Sequence, residues 1–373
     1  MRKILFVVFI SLLSLVTISC QREGVSDVKV KGLLGDGTNK TPYIVNVFED
    51  GTIIKEISED FIFSVDGTNS TLNIENNQVK IRGNKVGTET HKVTDKLIKV
   101  FYVKVKVNAK GYDVVNDKSY KDSLKILAIG NSFSEDATRY LYDIAKNFGI
   151  EEILIVNMYI GGATLEQHVN NIKSNSPYTM QTNSTGEWKN KGSKSIRYAL
   201  LYTDWDIVTI QQGSPLSGKP DSYQPYMDEL ITYINETVNN EVQIYWHQTW
   251  AYAKTSGHTS FPDYDSNQET MYNAIIEATE KKIINNVEVT NVIPSGTAIQ
   301  NMRETKVGYK VNSDGHHLNV KGRFTAGLVW FKVLTGYDID DITYFPEEVD
   351  SAFLAIAIEV VNKAVNEPLK VTK

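Results

Sequence analysis

Two short stretches carry the residue types that nucleophilic and acid–base chemistry needs. The first is Gly130-Asn131-Ser132-Phe133-Ser134, directly after the apolar run 126–129. The second is Asn312-Ser313-Asp314-Gly315-His316-His317. An Asp three residues before a His on one loop can accept from the imidazole Nδ1–H and leave Nε2 outward as a base. A serine on a tight turn is what such a base activates. Singly, each stretch has a plain structural explanation: a Gly-Asn-Ser turn arises by chance, and Asp-x-x-His serves as a helix-cap hydrogen bond. Together, at the two ends of one region with strand–helix patterning, they are much more specific.

The elements that must position these residues follow from the hydrophobic pattern. Runs at 124–129, 153–157, 206–212, 242–247 and 287–293 read as short buried strands, and 136–148, 165–172, 223–238, 268–284, 320–334 and 353–364 as helices. Ser134 is the expected N-cap of the first helix, with Glu135 and Asp136 in its first turn. Asn319 and Gly336 bracket the helix 320–334. Residues 177–195 read as a hairpin or flap, and a long loop runs from 248 to about 267. Strands each followed by a helix predict a parallel sheet covered on both faces. Ser132 then lies at the carboxyl end of a strand and near a helix N-terminus, where such sheets bind ligands and backbone N–H groups face negative charge.

The chain ahead of this region has a different texture. Residues 1–20 read as a targeting segment: Arg2 and Lys3, an apolar run 4–18, then Ser19-Cys20. This resembles a bacterial lipoprotein signal, which makes Cys20 the lipidated residue and anchors the chain to a membrane of the bacterial cell envelope. The alternative is an ordinary cleaved signal with an incidental cysteine. Cys20 is the only cysteine, so no intrachain disulfide is possible. Residues 21–27 read as a tether, 21–112 as a small all-β sandwich with period-two alternation, and 113–123 as a polar linker. The sandwich resembles immunoglobulin-like modules; His91 within it reads as a solvated loop residue. The net charge of −6 and the lack of a basic cluster argue against a nucleic-acid partner.

The motifs also resemble a known family. Gly130-Asn131-Ser132-Phe133-Ser134 is similar to the first block of the SGNH (GDSL-type) hydrolases, and Asp314-Gly315-His316-His317 to their last, Asp-x-x-His, block. Tyr159-Ile160-Gly161-Gly162-Ala163-Thr164 falls where the second block supplies an oxyanion-hole glycine, and Gln211-Gln212-Gly213-Ser214 where the third block follows its strand. The resemblance spans roughly 124–336 and is nearest to uncharacterised secreted SGNH-like proteins with such a Gln-Gln-Gly-Ser turn. It implies a flavodoxin-like three-layer α/β/α domain over 124–373. It also implies a serine esterase acting on acyl esters, acetyl first, of carbohydrate. Ser132 would be nucleophile, His317 base and Asp314 its partner, with the N–H groups of Ser132 and Gly162 binding the oxyanion.

One departure stands out. The family's usual Gly-x-Asn is replaced by Gly213-Ser214-Pro215, so the resemblance leaves the third oxyanion donor to a glutamine amide. Strand alternation lets only one of Gln211 and Gln212 face the pocket, and Gln212 is the expected donor. Asn131, Gln211, Trp246 and Trp250 are the expected pocket residues, the tryptophans as sugar-stacking faces or, equally, as core. His168 is expected to be a structural hydrogen bonder. His316 beside His317 raises a metal reading, but adjacent loop residues are expected to point apart and no third ligand is suitably spaced. Neither a metal nor a cofactor is expected. The competing function is a glycan-binding surface lipoprotein whose hydrolase-like domain is silent. Oligomeric state is not legible from the sequence.

Overall fold

A computed structural model describes residues 120 and 122–372, and 37–108 apart from 38, 41, 49–51, 58–62, 76 and 95–99. The signal segment, Cys20, the tether and most of the linker lie outside the described residues. Among the described residues no helix is long and apolar enough to cross a membrane.

The amino-terminal strands are β1 (Tyr43–Phe48), β2 (Thr52–Glu56), β3 (Phe63–Asp66), β4 (Ser70–Glu75), β5 (Gln78–Gly83), β6 (Gly87–Thr94) and β7 (Val100–Asn108). They form two sheets, of order β1-β7-β6 and β2-β5-β4-β3. Alternation buries Val45, Val47, Phe101, Val103 and Val105 from one sheet against Leu72, Ile74, Val79 and Ile81 from the other, in one core. Unlike a fully antiparallel sandwich, β1 runs parallel to β7. His91 is not a solvated loop residue. It lies on β6, is buried, and has Ser70 Oγ 2.6 Å from its Nε2. Lys55 pairs with Glu288 at 2.8 Å, and Lys106 pairs with Glu241.

The larger region contains β8 (Ser123–Gly130), α1 (Ser132–Thr138), α2 (Leu141–Asn147), β9 (Glu152–Tyr159), α3 (Leu165–Ser174), β10 (Tyr178–Asn183), β11 (Trp188–Lys194), α4 (Ile196–Leu200) and β12 (Ile207–Ile210). Then follow α5 (Tyr226–Thr237), β13 (Gln243–His247), α6 (Gln268–Lys282), β14 (Asn291–Ile293), α7 (Ser295–Arg303), α8 (Val320–Thr335) and α9 (Ser351–Asn366). The sheet order is β11-β10-β9-β8-β12-β13-β14. Strands β9, β8, β12, β13 and β14 are mutually parallel, and β10 and β11 extend the β9 edge as an antiparallel hairpin. The parallel part has the flavodoxin-like order 2-1-3-4-5, whose switch point lies between β8 and β12.

Alternation along β8 explains the three layers. Leu124, Ile126 and Ala128 face a core shared with α1, α2, α7, α8 and α9, while Leu127 and Ile129 face a second core with α3, α4 and α5. The region read as one helix at 136–148 is two, broken between Thr138 and Leu141. The first begins earlier than expected. Its N-cap is Asn131, whose side chain accepts from the Phe133 N–H, and not Ser134. Ser132 is therefore the first residue of α1.

Candidate active site

Ser132 follows β8 without an intervening loop, so its hydroxyl stands at the carboxyl edge of the sheet beside the switch point. Gly130 is required there because a Cβ would lie 2.5 Å from Ser134 Oγ and 3.1 Å from Gln211 Oε1. His317 Nε2 is 3.0 Å from Ser132 Oγ, and His317 Nδ1 is 2.8 Å from Asp314 Oδ2. A carboxylate only accepts, so Nδ1 carries the proton and Nε2 presents its lone pair to the serine hydroxyl. The three residues singled out in the sequence are thus brought into one chain of hydrogen bonds.

The loop carrying Asp314 and His317 is held from several sides. Asp314 Oδ1 accepts the N–H groups of His316 and His317 at 2.7 and 2.6 Å. Partial burial acts against ionisation, but these N–H groups and the His317 ring outweigh it and hold the carboxyl well below the usual carboxylate range. Gly315 packs on the loop at 253–258: its carbonyl accepts from the Ala253 N–H at 2.9 Å, and a Cβ would meet Ser256 Cα at 2.6 Å. Trp250 stacks on Phe133 at 4.3 Å between centroids and donates from Nε1 to the His316 carbonyl at 2.8 Å. It therefore touches the residue after Ser132 and the residue before His317.

Asp136, read from sequence only as a first-turn acid, has a larger part. It lies four residues after Ser132, on the same face of α1, and is buried. Its carboxylate accepts the Leu318 N–H at 2.7 Å and Arg323 Nε–H at 2.7 Å. The helix of the serine is thus fastened to the residue after the histidine. Burial pushes the Asp136 carboxyl up, against the opposing pull of Leu318 and Arg323.

The glycine block forms a tight turn. The Ala163 N–H donates to the Ile160 carbonyl, and Gly162 has φ +69°, the arrangement of a type II turn with glycine at its third position. Gly162 faces open space, with nothing within 4 Å of a built Cβ. Gly213 lies flat against this turn: a Cβ there would meet the Gly162 and Ala163 carbonyls at 3.0 Å.

Several expected pocket residues do not face the serine. Gln212 is corrected as an oxyanion donor. Its Nε2 donates to the Ser222 carbonyl and hydroxyl, both at 3.1 Å, while its Oε1 accepts from Leu165 N–H at 3.0 Å. Gln211 is buried as well and bonds Asn131 and His247. Both glutamines lie beyond the last residue of β12, where strand alternation no longer sorts side chains. Asn131 is 1% exposed, its amide spent on Phe133 and Ala163. Trp246 and Trp250, at 1% and 0% exposure, are core residues and offer no stacking face. Trp246 packs on Tyr223. His168 is buried with Tyr178 Oη 2.8 Å from Nδ1, and burial pushes its pKa down to about 4. His316 and His317 do not point apart. Their ring centroids are 4.0 Å from each other, and with Asp314 they bring ligand-type atoms within 4.8 Å. Both Asp314 oxygens and both His317 nitrogens are already engaged in the bonds described above.

Fold and site together define a three-layer α/β/α protein with a serine, a histidine and an aspartate aligned at the switch point of its sheet. The chain belongs to the family described as Domain of unknown function (DUF4886), which matches residues 125–364. It is similar to a DUF4886 family protein from Bacteroides uniformis, with 42% identity and a TM-score of 0.65 over 67% of this chain and 98% of that one. More distant is a candidate SGNH hydrolase from Slackia heliotrinireducens, at 18% identity and TM-score 0.37 over 57% and 100% of the two chains. An acetylxylan esterase from Geobacillus stearothermophilus has 12% identity and TM-score 0.38 over 58% and 96%. These last two are too distant to carry a function across. No curated protein matches.

Proposed function

We propose that the protein is an exported serine esterase that removes short acyl groups, acetyl first of all, from carbohydrate. The observation that carries this reading is the continuous Ser132–His317–Asp314 chain, at 3.0 and 2.8 Å, on a serine that opens a helix. His317 Nε2 takes the hydroxyl proton as Ser132 Oγ attacks the ester carbonyl. Asp314, kept ionised by its backbone donors, stabilises the imidazolium that forms. The N–H groups of Ser132 and Gly162, at the start of α1 and in the open turn, are the donors for the oxyanion; each such donor typically contributes about 10²- to 10³-fold in turnover. His317 returns its proton to the leaving alcohol, then activates water to release the acyl group. With Gln212 engaged elsewhere, these two backbone donors carry the oxyanion side.

The carbohydrate part rests on the motif resemblance and the expected export, and loses the support of Trp246 and Trp250, which are buried. In the test, the chain from Gln21 is assayed on p-nitrophenyl acetate and on acetylated glycans beside Ser132→Ala. Acetate release that falls at least about a hundredfold in the variant is expected; equal rates would remove the nucleophile assignment. We also propose lipid anchoring at Cys20. Cys20→Ser should move the protein from the membrane fraction to the soluble one, and continued membrane association would refute the anchor.

A further inference from the structure

A buried chain of side-chain hydrogen bonds crosses the sheet behind Ser132. His247 Nδ1 lies 2.8 Å from Gln211 Oε1, Gln211 Nε2 lies 2.9 Å from Asn131 Oδ1, and Asn131 Nδ2 lies 3.0 Å from the Ala163 carbonyl oxygen. These groups stand at the carboxyl ends of β13, β12 and β8 and in the turn after β9, four strands that are successive neighbours in the sheet. Asn131, Gln211 and His247 are each 1% exposed.

Backbone groups at one end fix the direction of every bond. The Phe133 N–H only donates, so the Asn131 atom 2.9 Å from it is the amide oxygen. The Ala163 carbonyl only accepts, so the amide nitrogen faces it. Gln211 must then turn Nε2 toward Asn131 and Oε1 toward His247, which leaves the histidine as the Nδ1–H tautomer. His247 is wedged edge-on between Trp250 and Trp330, at centroid distances of 6.0 and 4.9 Å. Burial there pushes its pKa down to about 3. It is a fixed neutral donor and not a second base.

We propose that Gln211 and His247 are positioning residues for the oxyanion side of the site. They add a second hold on the Asn131 amide oxygen beside the Phe133 N–H, and that amide holds the Ala163 carbonyl, so the Gly161-Gly162 turn keeps its place beside Ser132. Gln212 acts on the same turn from its other end, through the Leu165 N–H. Both glutamines therefore shape the site through the backbone and touch no substrate. The proposal rests on the esterase reading of Ser132.

The test compares two substitutions in the full chain. His247→Phe keeps a ring and removes the donor, whereas His247→Asn keeps an N–H donor near the position of Nδ1. The measurements are kcat, KM and the pH profile of kcat/KM on p-nitrophenyl acetate, with fluorophosphonate labelling of Ser132 in the wild type as the control for the underlying reading. His247→Phe is expected to lose roughly 10- to 100-fold in kcat, with KM within about threefold. His247→Asn should recover most of that loss. The acid limb of the profile should stay where it is, because His317 and Asp314 are untouched. Should His247→Phe fail to fold, Gln211→Met, which is unbranched and of similar length, decides the same point. Wild-type kcat in a folded donorless variant, equal losses in the Phe and Asn variants, or a shifted acid limb would each overturn the positioning role. An unlabelled and inactive wild type would instead overturn the esterase reading, and the positioning role with it.

Discussion

Asp136→Ala tests how Ser132 and His317, the proposed nucleophile and base, are kept in register. The carboxylate is 3% exposed and accepts the Leu318 N–H and Arg323 Nε–H, both at 2.7 Å. Removing it leaves the Leu318 N–H as a buried donor without an acceptor, which costs about 1–3 kcal/mol. Arg323 is 36% exposed and can turn to water, so its lost ion pair adds little. For a domain of this size the midpoint of thermal unfolding should fall by roughly 4–8 °C, taking about 2 kcal/mol as the central value. The effect on rate is larger than that implies. Leu318 directly follows His317, so releasing its N–H lets Nε2 drift from its 3.0 Å position beside Ser132 Oγ. A displacement of about 1 Å costs about a hundredfold in turnover. Asp136→Asn retains one oxygen for the Leu318 N–H and should stay within about tenfold of wild type. The assay is the initial rate on p-nitrophenyl acetate at a temperature well below every midpoint, alongside melts followed by circular dichroism. The reasoning is refuted by Asp136→Ala with wild-type kcat, or by a rate loss that vanishes once divided by the folded fraction.

Two further outcomes are expected. Gln212→Glu keeps the acceptor for the Leu165 and Gly213 N–H groups, loses the donors to Ser222 and sets a buried carboxylate oxygen against the Ser222 carbonyl, so it costs stability and its rate is read per folded molecule. It should change kcat by less than about tenfold, where a true oxyanion donor replaced by a carboxylate would cost more than about a hundredfold; kinetics on the acetate ester separate the two. Asp314 has a folded pKa depressed below its unfolded value, so the stability it contributes is present above the unfolded pKa and is lost as pH falls toward the folded one. The difference in melting midpoint between wild type and Asp314→Asn should hold from neutral pH down to about pH 4 and shrink only below that. Shrinkage already between pH 7 and 5 would contradict the depressed carboxyl.

The sheet was legible because its strands are buried on both faces and so read as short apolar runs between turn residues. That Ser132, Asp314 and His317 would meet was legible because an Asp-x-x-His loop and a serine on a strand–helix turn restrict both residue type and local spacing. What the sequence hid depends on contacts between distant segments. Trp250 after a strand end fits a sugar platform as well as a core residue, and only the placement of Phe133 against it decides. Asp136 looks like any acid in a first turn until Leu318 and Arg323 arrive from the far end of the domain. For the glutamines, side-chain alternation ends with the strand at Ile210, so it does not sort Gln211 from Gln212. The break between α1 and α2 falls at Arg139-Tyr140, which carries no proline or glycine to announce it. Asn131 and Ser134 are equally good capping residues, and the choice fell to Asn131 because its amide also bridges to Ala163.

Asp314 and His317 are three residues apart on one loop, whereas Ser132 is 185 residues away from His317. The Asp314–His317 pair can therefore be assembled locally, before the rest of the domain is in place, and Ser132 joins it only when α8 docks against α1. Competence thus depends on that helix–helix contact as much as on the loop's other supports. A chain in which the contact loosens while the sheet persists would still be native by its strand content yet chemically silent, which makes turnover a more sensitive gauge of local opening than any measure of secondary structure.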